Sequence, residues 1–342
     1  MVKIAWYPPV ADTDLDRLQA YLAPRAAAEG LPMAYLSGPS AAGLGPAASD
    51  LHVNLVVHER VHMQAWQSWQ VAGRTVTASY LEFNELRGSV ERACTPNLAP
   101  SLQADEARLL AHLLLGRLVL DDGALRVLID NLHRNADAVV GAYVAPLAAR
   151  TRMRASEAFD LLACGDEASA QWAAESAVLA AADALVTSRG DLYPGTAWLR
   201  ARWDRTFSSP FPQVPSREMT AHPRAFVDSL AIHQDLLVQA LTGYDYPLQR
   251  FVSPGEFARD PYSAVAPAKT STRIHHRHGR GAMLVDHASL LLYGIAHGRS
   301  RTDAIDRVIM LLAQDGIRVS FSELERKLNQ LIEGELLRVR SA

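Results

Sequence analysis

The sequence has almost no lysine: Lys3, Lys269 and Lys327 are the three among 342 residues. Arginine carries the basic charge, and Lys plus Arg (34) falls just short of Asp plus Glu (37). The resulting net charge of −3 gives no bulk attraction to nucleic acid or to an anionic membrane. The arginine and alanine bias reads as the codon usage of a GC-rich genome. Cysteine is nearly absent too. Cys94 and Cys164 lie far apart and in no metal-ligand spacing, which argues against a disulfide framework and fits a reducing cytoplasm. No apolar run approaches the roughly eighteen residues of a membrane span, and no basic segment precedes an apolar one at the start. The expectation is a cytoplasmic protein with no membrane partner.

What is present is an ordinary globular composition, 49% apolar and 21% charged, in a chain long enough for two or three domains. The most informative stretch is residues 31–58. An apolar strand, Leu31 to Leu36, runs into a turn rich in small residues: Ser37, Gly38, Ser40, Gly43 and Gly45. Ser49 and Asp50 then open a second strand, Leu51 to His58. Strand side chains alternate between faces. Asp50, His52, Asn54, Val56 and His58 therefore share one face, and Leu51, Val53, Leu55 and Val57 form an aliphatic face that suits a packed helix.

This order resembles the nucleotidyltransferase superfamily of the kanamycin-nucleotidyltransferase type. There a strand leads to Gly-Ser and then to Ser-Asp-x-Asp on the next strand. Gly38-Pro39-Ser40 and Ser49-Asp50 stand at the matching places, and His52 replaces the second acid. The resemblance implies that Gly38, Ser40 and Ser49 meet a nucleotide's phosphates. It also implies that Asp50 and His52 hold a divalent metal, magnesium or, given the imidazole, a transition metal. A third carboxylate is expected from the next hairpin, read as Met63 to Val71 and Thr75 to Phe83 around Gly73. Thr77 falls at that position, leaving Glu82 as the nearest candidate.

The chain then reads as helical: Ala104 to Leu118, Asp122 to Ala149, Ser156 to Cys164, Glu167 to Ser188, and, after a Gly190–Gly195 break, Thr196 to Arg205. The Tyr193-Pro194-Gly195 turn followed by Trp198 is similar to the helical partner domain of the same superfamily. There the implied phosphate contact is a lysine; here Arg200 and Arg202 are the substitutes. Pro223 to Leu241 reads as a further helix, and residues 242–272, with four prolines, as a linker or lid. From residue 273 the pattern is a hairpin followed by three helices, the last opened by the capping signal Ser320-Phe-Ser-Glu323. That unit is similar to winged helices, and in layout to the small peptide-binding domain of pyrroloquinoline quinone biosynthesis.

The expected architecture is α+β in four parts: a nucleotidyltransferase-like domain (1–101), a helical bundle (102–241), the linker or lid (242–272) and a winged-helix-like domain (273–342). The expected catalytic set is Asp50, His52 and Glu82, acting on a nucleotide or small-molecule substrate in bacterial specialised metabolism. Two alternatives stand beside it. One is an inactive relative that binds a peptide or protein partner through the C-terminal unit. The other is a DNA-binding regulator using Arg299, Arg301 and Arg307. The His275, His276 and His278 cluster, set among arginines, is most simply a solvated hairpin tip.

Overall fold

The structure is a computed structural model that describes residues 3–5, 7, 13–29, 33–45, 49–58, 66–71, 73–95, 103–216, 222–247, 252–267, 272–275 and 282–341. The chain packs as two units. One comprises Met1–Tyr143 with Arg189–Ser209; the other comprises Val144–Ser188 with Pro210–Ala342.

The first unit is built on a five-stranded mixed sheet. Its strands are β1 (Met33–Ser37), β2 (Leu51–Val57), β3 (Trp66–Val71), β4 (Arg74–Glu82) and β5 (Arg117–Leu120), in the order β3-β4-β2-β1-β5. β2 and β4 run parallel and the other neighbours antiparallel. The aliphatic face of β2 packs as expected. Leu51, Val53, Leu55 and Val57 join Val76, Ala78 and Tyr80 of β4 in one buried cluster. Leu18 and Leu22 of helix α1 (Thr13–Glu29) close it, each contributing about 2 kcal/mol by burial. Pro24 lies inside α1 without ending it. The opposite sheet face meets α3 (Phe83–Cys94) on β4 and α4 (Ala104–Leu115) on β1, with α5 (Ala124–Arg134) packed behind them.

Two elements of this unit escape the sequence reading. α3 begins directly where β4 stops, with no loop to mark it. β5 was expected to be the tail of α4. It is a strand because Gly116 ends the helix: a β-carbon there would lie 2.6 Å from His112 O and 2.8 Å from Leu36 O, so only glycine lets the chain reach β1.

The expected single helix at 122–149 is two, broken at Asn135, whose side-chain amide donates to Asn131 O at 2.9 Å. The expected separate helix at 156–164 is the end of α6 (Ala136–Ala163), since no glycine or proline interrupts residues 149–156. α7 (Glu167–Ser188) matches its expectation.

In the second unit α7 packs on α10 (Ile232–Thr242), which follows α9 (Pro223–Leu230). The expected linker or lid at 242–272 is partly sheet. β6 (Phe257–Arg259) pairs with the final strand β10 (Leu337–Val339), and β7 (Ala264–Pro267) pairs with β8 (Thr272–His275). β9 (Ala282–Val285) completes the order β7-β8-β9. The expected hairpin at 273–285 is thus observed with one strand more, its tip lying outside the described residues. Helices α11 (His287–Ala296), α12 (Arg301–Gln314) and α13 (Phe321–Glu333) follow, α13 capped by Ser320 accepting from Glu323 N. Among the described residues, no helix is long and apolar enough to cross a membrane.

Candidate functional site

The site proposed by the sequence is the end of the sheet where β1 leaves and β2 enters. Gly38 turns the chain with φ +81, and a β-carbon there would stand 3.1 Å from the His52 ring. Glycine at this position lets the loop lie directly against the imidazole. The short helix α2 (Gly38–Ala41) and its exit form a self-contained knot. Ala42 N donates to Gly38 O, Gly43 N to Ser40 O, and Leu44 N and Gly45 N to Pro39 O, at 2.8–3.3 Å. Those amides are therefore engaged internally. Ser40 is buried and its hydroxyl meets no partner among the described residues. The amides of residues 42–45 are thus directed to the loop's own carbonyls.

Asp50 immediately precedes β2 and His52 is the strand's second residue; both are exposed. Further along the same face Asn54 is buried and donates to Ser37 Oγ at 2.8 Å, and Val56 is fully covered. The row is open to solvent at Asp50 and His52 and again at its far end, at His58, and is covered between them. Ser49 is fixed by Arg74, whose guanidinium donates to its carbonyl oxygen.

Glu82 does not belong to this site. β2 and β4 are parallel with His52 beside Thr77 and Val57 beside Glu82. Glu82 is thus five residues, about 17 Å, from the His52 level. An odd separation also turns it to the other sheet face, that of Val76, Ala78 and Tyr80. It ends as the N-cap residue of α3. Among the described residues no three His, Cys, Asp or Glu side chains group as metal ligands. Two donors, one of them imidazole, do not fit magnesium, which takes carboxylate and water oxygens.

Arg202 is likewise removed from the expected phosphate role. Arg200 lies on the exposed side of α8 (Leu199–Thr206), but Arg202 is on its buried side, 0% exposed, with Nε 3.3 Å from Asp191 Oδ1. Arg205 donates to the other Asp191 oxygen at 2.7 Å and to Ala42 O at 2.7 Å, tying the turn after α7 to the exit of α2. Its guanidinium also stacks 3.5 Å over the Tyr7 ring. Tyr193 completes the tie, packing with Ala42, Leu115, Leu44 and Trp198.

The sequence reading missed His112. It lies on α4 among leucines, where it looks like a filler of the apolar face. Its ring stands 6.1 Å from that of Tyr193. Burial pushes its pKa down to about 4, with Arg108 and then His52 adding to the effect. His112 is therefore neutral at pH 7.

In the second unit the arginines considered for DNA are all engaged. Arg299 is buried, with Nε 3.4 Å from Asp303. Arg307 pairs with the same Asp303 at 3.0 Å. Arg301 donates to Asn329 at 2.7 Å. His276 and His278 lie outside the described residues. β9 is an edge strand of its sheet. At its end Lys327 of α13 pairs with Asp286, just past β9, and Gly334, just past α13, approaches Met283 Sδ. Leu284 of β9 is 60% exposed.

No protein-family model matches the chain, and no curated protein does. Among solved structures it is similar to a nucleotidyltransferase-like protein from Exiguobacterium sibiricum 255-15, at 10% identity and TM-score 0.39, over 68% of this chain and 81% of that one. The architecture of this chain is α+β with a mixed sheet.

Proposed function

We propose that this chain is a binding protein built on a nucleotidyltransferase-like sheet, and that it recognises an extended peptide at the β9 edge. The observation that carries the first half is the β2–β4 register. Thr77 stands beside His52 where the chemistry needs a carboxylate, and Glu82 is on the wrong face. A two-donor site does not gather the charge that holds a metal–triphosphate complex.

The second half is supported by the β9 edge. An edge strand offers a row of backbone donors and acceptors to an incoming strand. Here it carries an exposed leucine as a side-chain contact.

Calorimetry with ATP, GTP and CTP in magnesium or manganese tests the first half; the expected result is no heat of binding. Peptides selected from a random display library test the second. Their binding is expected to be lost in Leu284→Asp and retained in Asp50→Ala. Heat with a nucleotide, or selected peptides indifferent to Leu284→Asp, would refute the respective half.

Nucleotidyl transfer is the second reading. It is favoured by the one feature that survives from the motif, the exposed Asp50 and His52 pair. It requires that Asp50→Ala abolish a nucleotide-dependent turnover.

A further inference from the structure

A cavity of about 590 Å³ lies wholly within the second unit, between α6 and the edge of the β7-β8-β9 sheet. Its size falls within the range of small-molecule sites. One wall is aromatic: Phe159 and Tyr262 hold their rings 4.8 Å apart at 60°, and Tyr262 is 36% exposed. Met153 adds apolar surface that the fold leaves 56% exposed. Arg152, His275, Glu157 and Asp160 line the rest of the space, and burial and then the Arg152 charge disfavour protonation of His275, so Arg152 is the cation among them.

The acids nearby do not neutralise Arg152. Glu157 is held by Arg154 at 2.5 Å. Asp160 lies eight residues further along the helix, about 12 Å away, and has a partner of its own. Among the described residues Arg152 makes neither an ion pair nor a hydrogen bond. A guanidinium without an acid partner beside a partly exposed tyrosine ring is complementary to one chemistry.

We infer that this cavity is a binding site for a small aryl carboxylate, its carboxylate on Arg152 and its ring against Tyr262 and Met153. A guanidinium takes a carboxylate by two parallel hydrogen bonds, and a flat ring matches the aromatic wall by offset or edge contact. The site shares no residue with the β9 edge or the Asp50 end of the first sheet.

The test is calorimetry with naphthalene-2-carboxylate against the neutral naphthalene-2-methanol. The acid is expected to bind one site per chain, about tenfold or more tighter than the alcohol, because only it engages the guanidinium. Arg152→Gln should remove that advantage and leave the alcohol's affinity within about twofold, since the aromatic wall is intact. Tyr262→Ala should weaken both, and Arg150→Gln, on the exposed side of the same helix, should change neither. Arg152 is exposed, so its substitution leaves the fold standing; thermal melts confirm that. No saturable binding of the acid, equal binding of acid and alcohol, or an unchanged affinity in Arg152→Gln would each overturn the assignment.

Discussion

Arg202 and Asp191 form an ion pair with no access to solvent: their side chains are 0% and 1% exposed, and Nε stands 3.3 Å from Oδ1. The guanidinium also donates to the Asp191 backbone carbonyl, and Arg205 holds the second carboxylate oxygen. A turn read in the sequence as a phosphate contact is therefore a structural clamp. Its positive charge balances an internal acid and is not offered to a ligand.

Removing one member of such a pair leaves a buried charge without its counter-ion, which typically costs about 3–5 kcal/mol. Asp191→Asn is accordingly expected to lower the urea midpoint of the first unit sharply, since two guanidiniums lose their acceptor. Arg205→Gln, at a side chain 16% exposed and so reached by water, should cost less. Denaturation followed by fluorescence of the adjacent buried Trp203 measures both. Similar midpoints for the two variants would show that the clamp contributes little.

Acid should weaken the fold well before carboxylates protonate. Burial holds the pKa of His297 down to about 3, with Arg259 and Arg299 adding to the effect. Burial likewise holds His233 at about 4, with Arg259 lowering it and a bond to Leu230 O opposing. His112 is also at about 4. Each group is neutral when folded and takes up a proton near pH 6.5 when unfolded. Their contribution is complete above about pH 6.5 and is lost as pH falls towards 4. The slope is up to about 1.4 kcal/mol per pH unit for each histidine, so thermal midpoints should fall steeply between pH 6.5 and 4.5. His297→Asn should flatten the profile; an unchanged slope would mean that His297 is not buried neutral.

How much of this was legible beforehand depends on the range of the interaction. The alternation in Leu51–Val57 fixed which side faces α1, because period two is a local property of the strand. The small residues of 37–45 marked the loop for the same reason. The Ser320 cap and the α7 boundaries were legible too. What could not be read was anything set by pairing between distant segments. Glu82 is near Asp50 in motif order and far from it in register. Arg202 and Arg200 are alike in sequence, and only the position of Asp191 decides which is buried. β5 exists because β1 offers it an edge, and His112 matters because α4 lies near Tyr193 and His52.

Gly294 in α11 shows the same dependence on distant partners. A β-carbon there would stand 2.2 Å from Tyr246 Oη and 2.7 Å from Val238 Cγ1. Both neighbours are buried, and Tyr246 is within hydrogen-bond reach of Asp235. Gly294→Ala should therefore destabilise by about 1–3 kcal/mol through overpacking, against the usual helical gain of about 1 kcal/mol from glycine to alanine. Adding Tyr246→Phe should recover part of that loss by removing the closest atom. A single variant more stable than the parent would show that α10 and α11 are less tightly packed than described.

The absence of a third acid at the sheet end can be tested by restoring it. Thr77 sits beside His52 on the neighbouring parallel strand, at the usual spacing of about 4.8 Å and on the same face. Asp50 stands two residues before His52, just ahead of β2, about 7 Å off where the chain is extended. The double variant His52→Asp, Thr77→Asp would thus set three carboxylates around one exposed point. Manganese binding followed by electron paramagnetic resonance is expected to be undetectable in the parent and in either single variant. It should appear in the double variant, because three oxygen ligands with water satisfy a divalent ion where two donors do not. Manganese bound by the parent would show that Asp50 and His52 suffice, and would favour the enzymatic reading. No binding by the double variant would show that the side chains at 50, 52 and 77 do not converge, and that the sheet end lacks more than its acids.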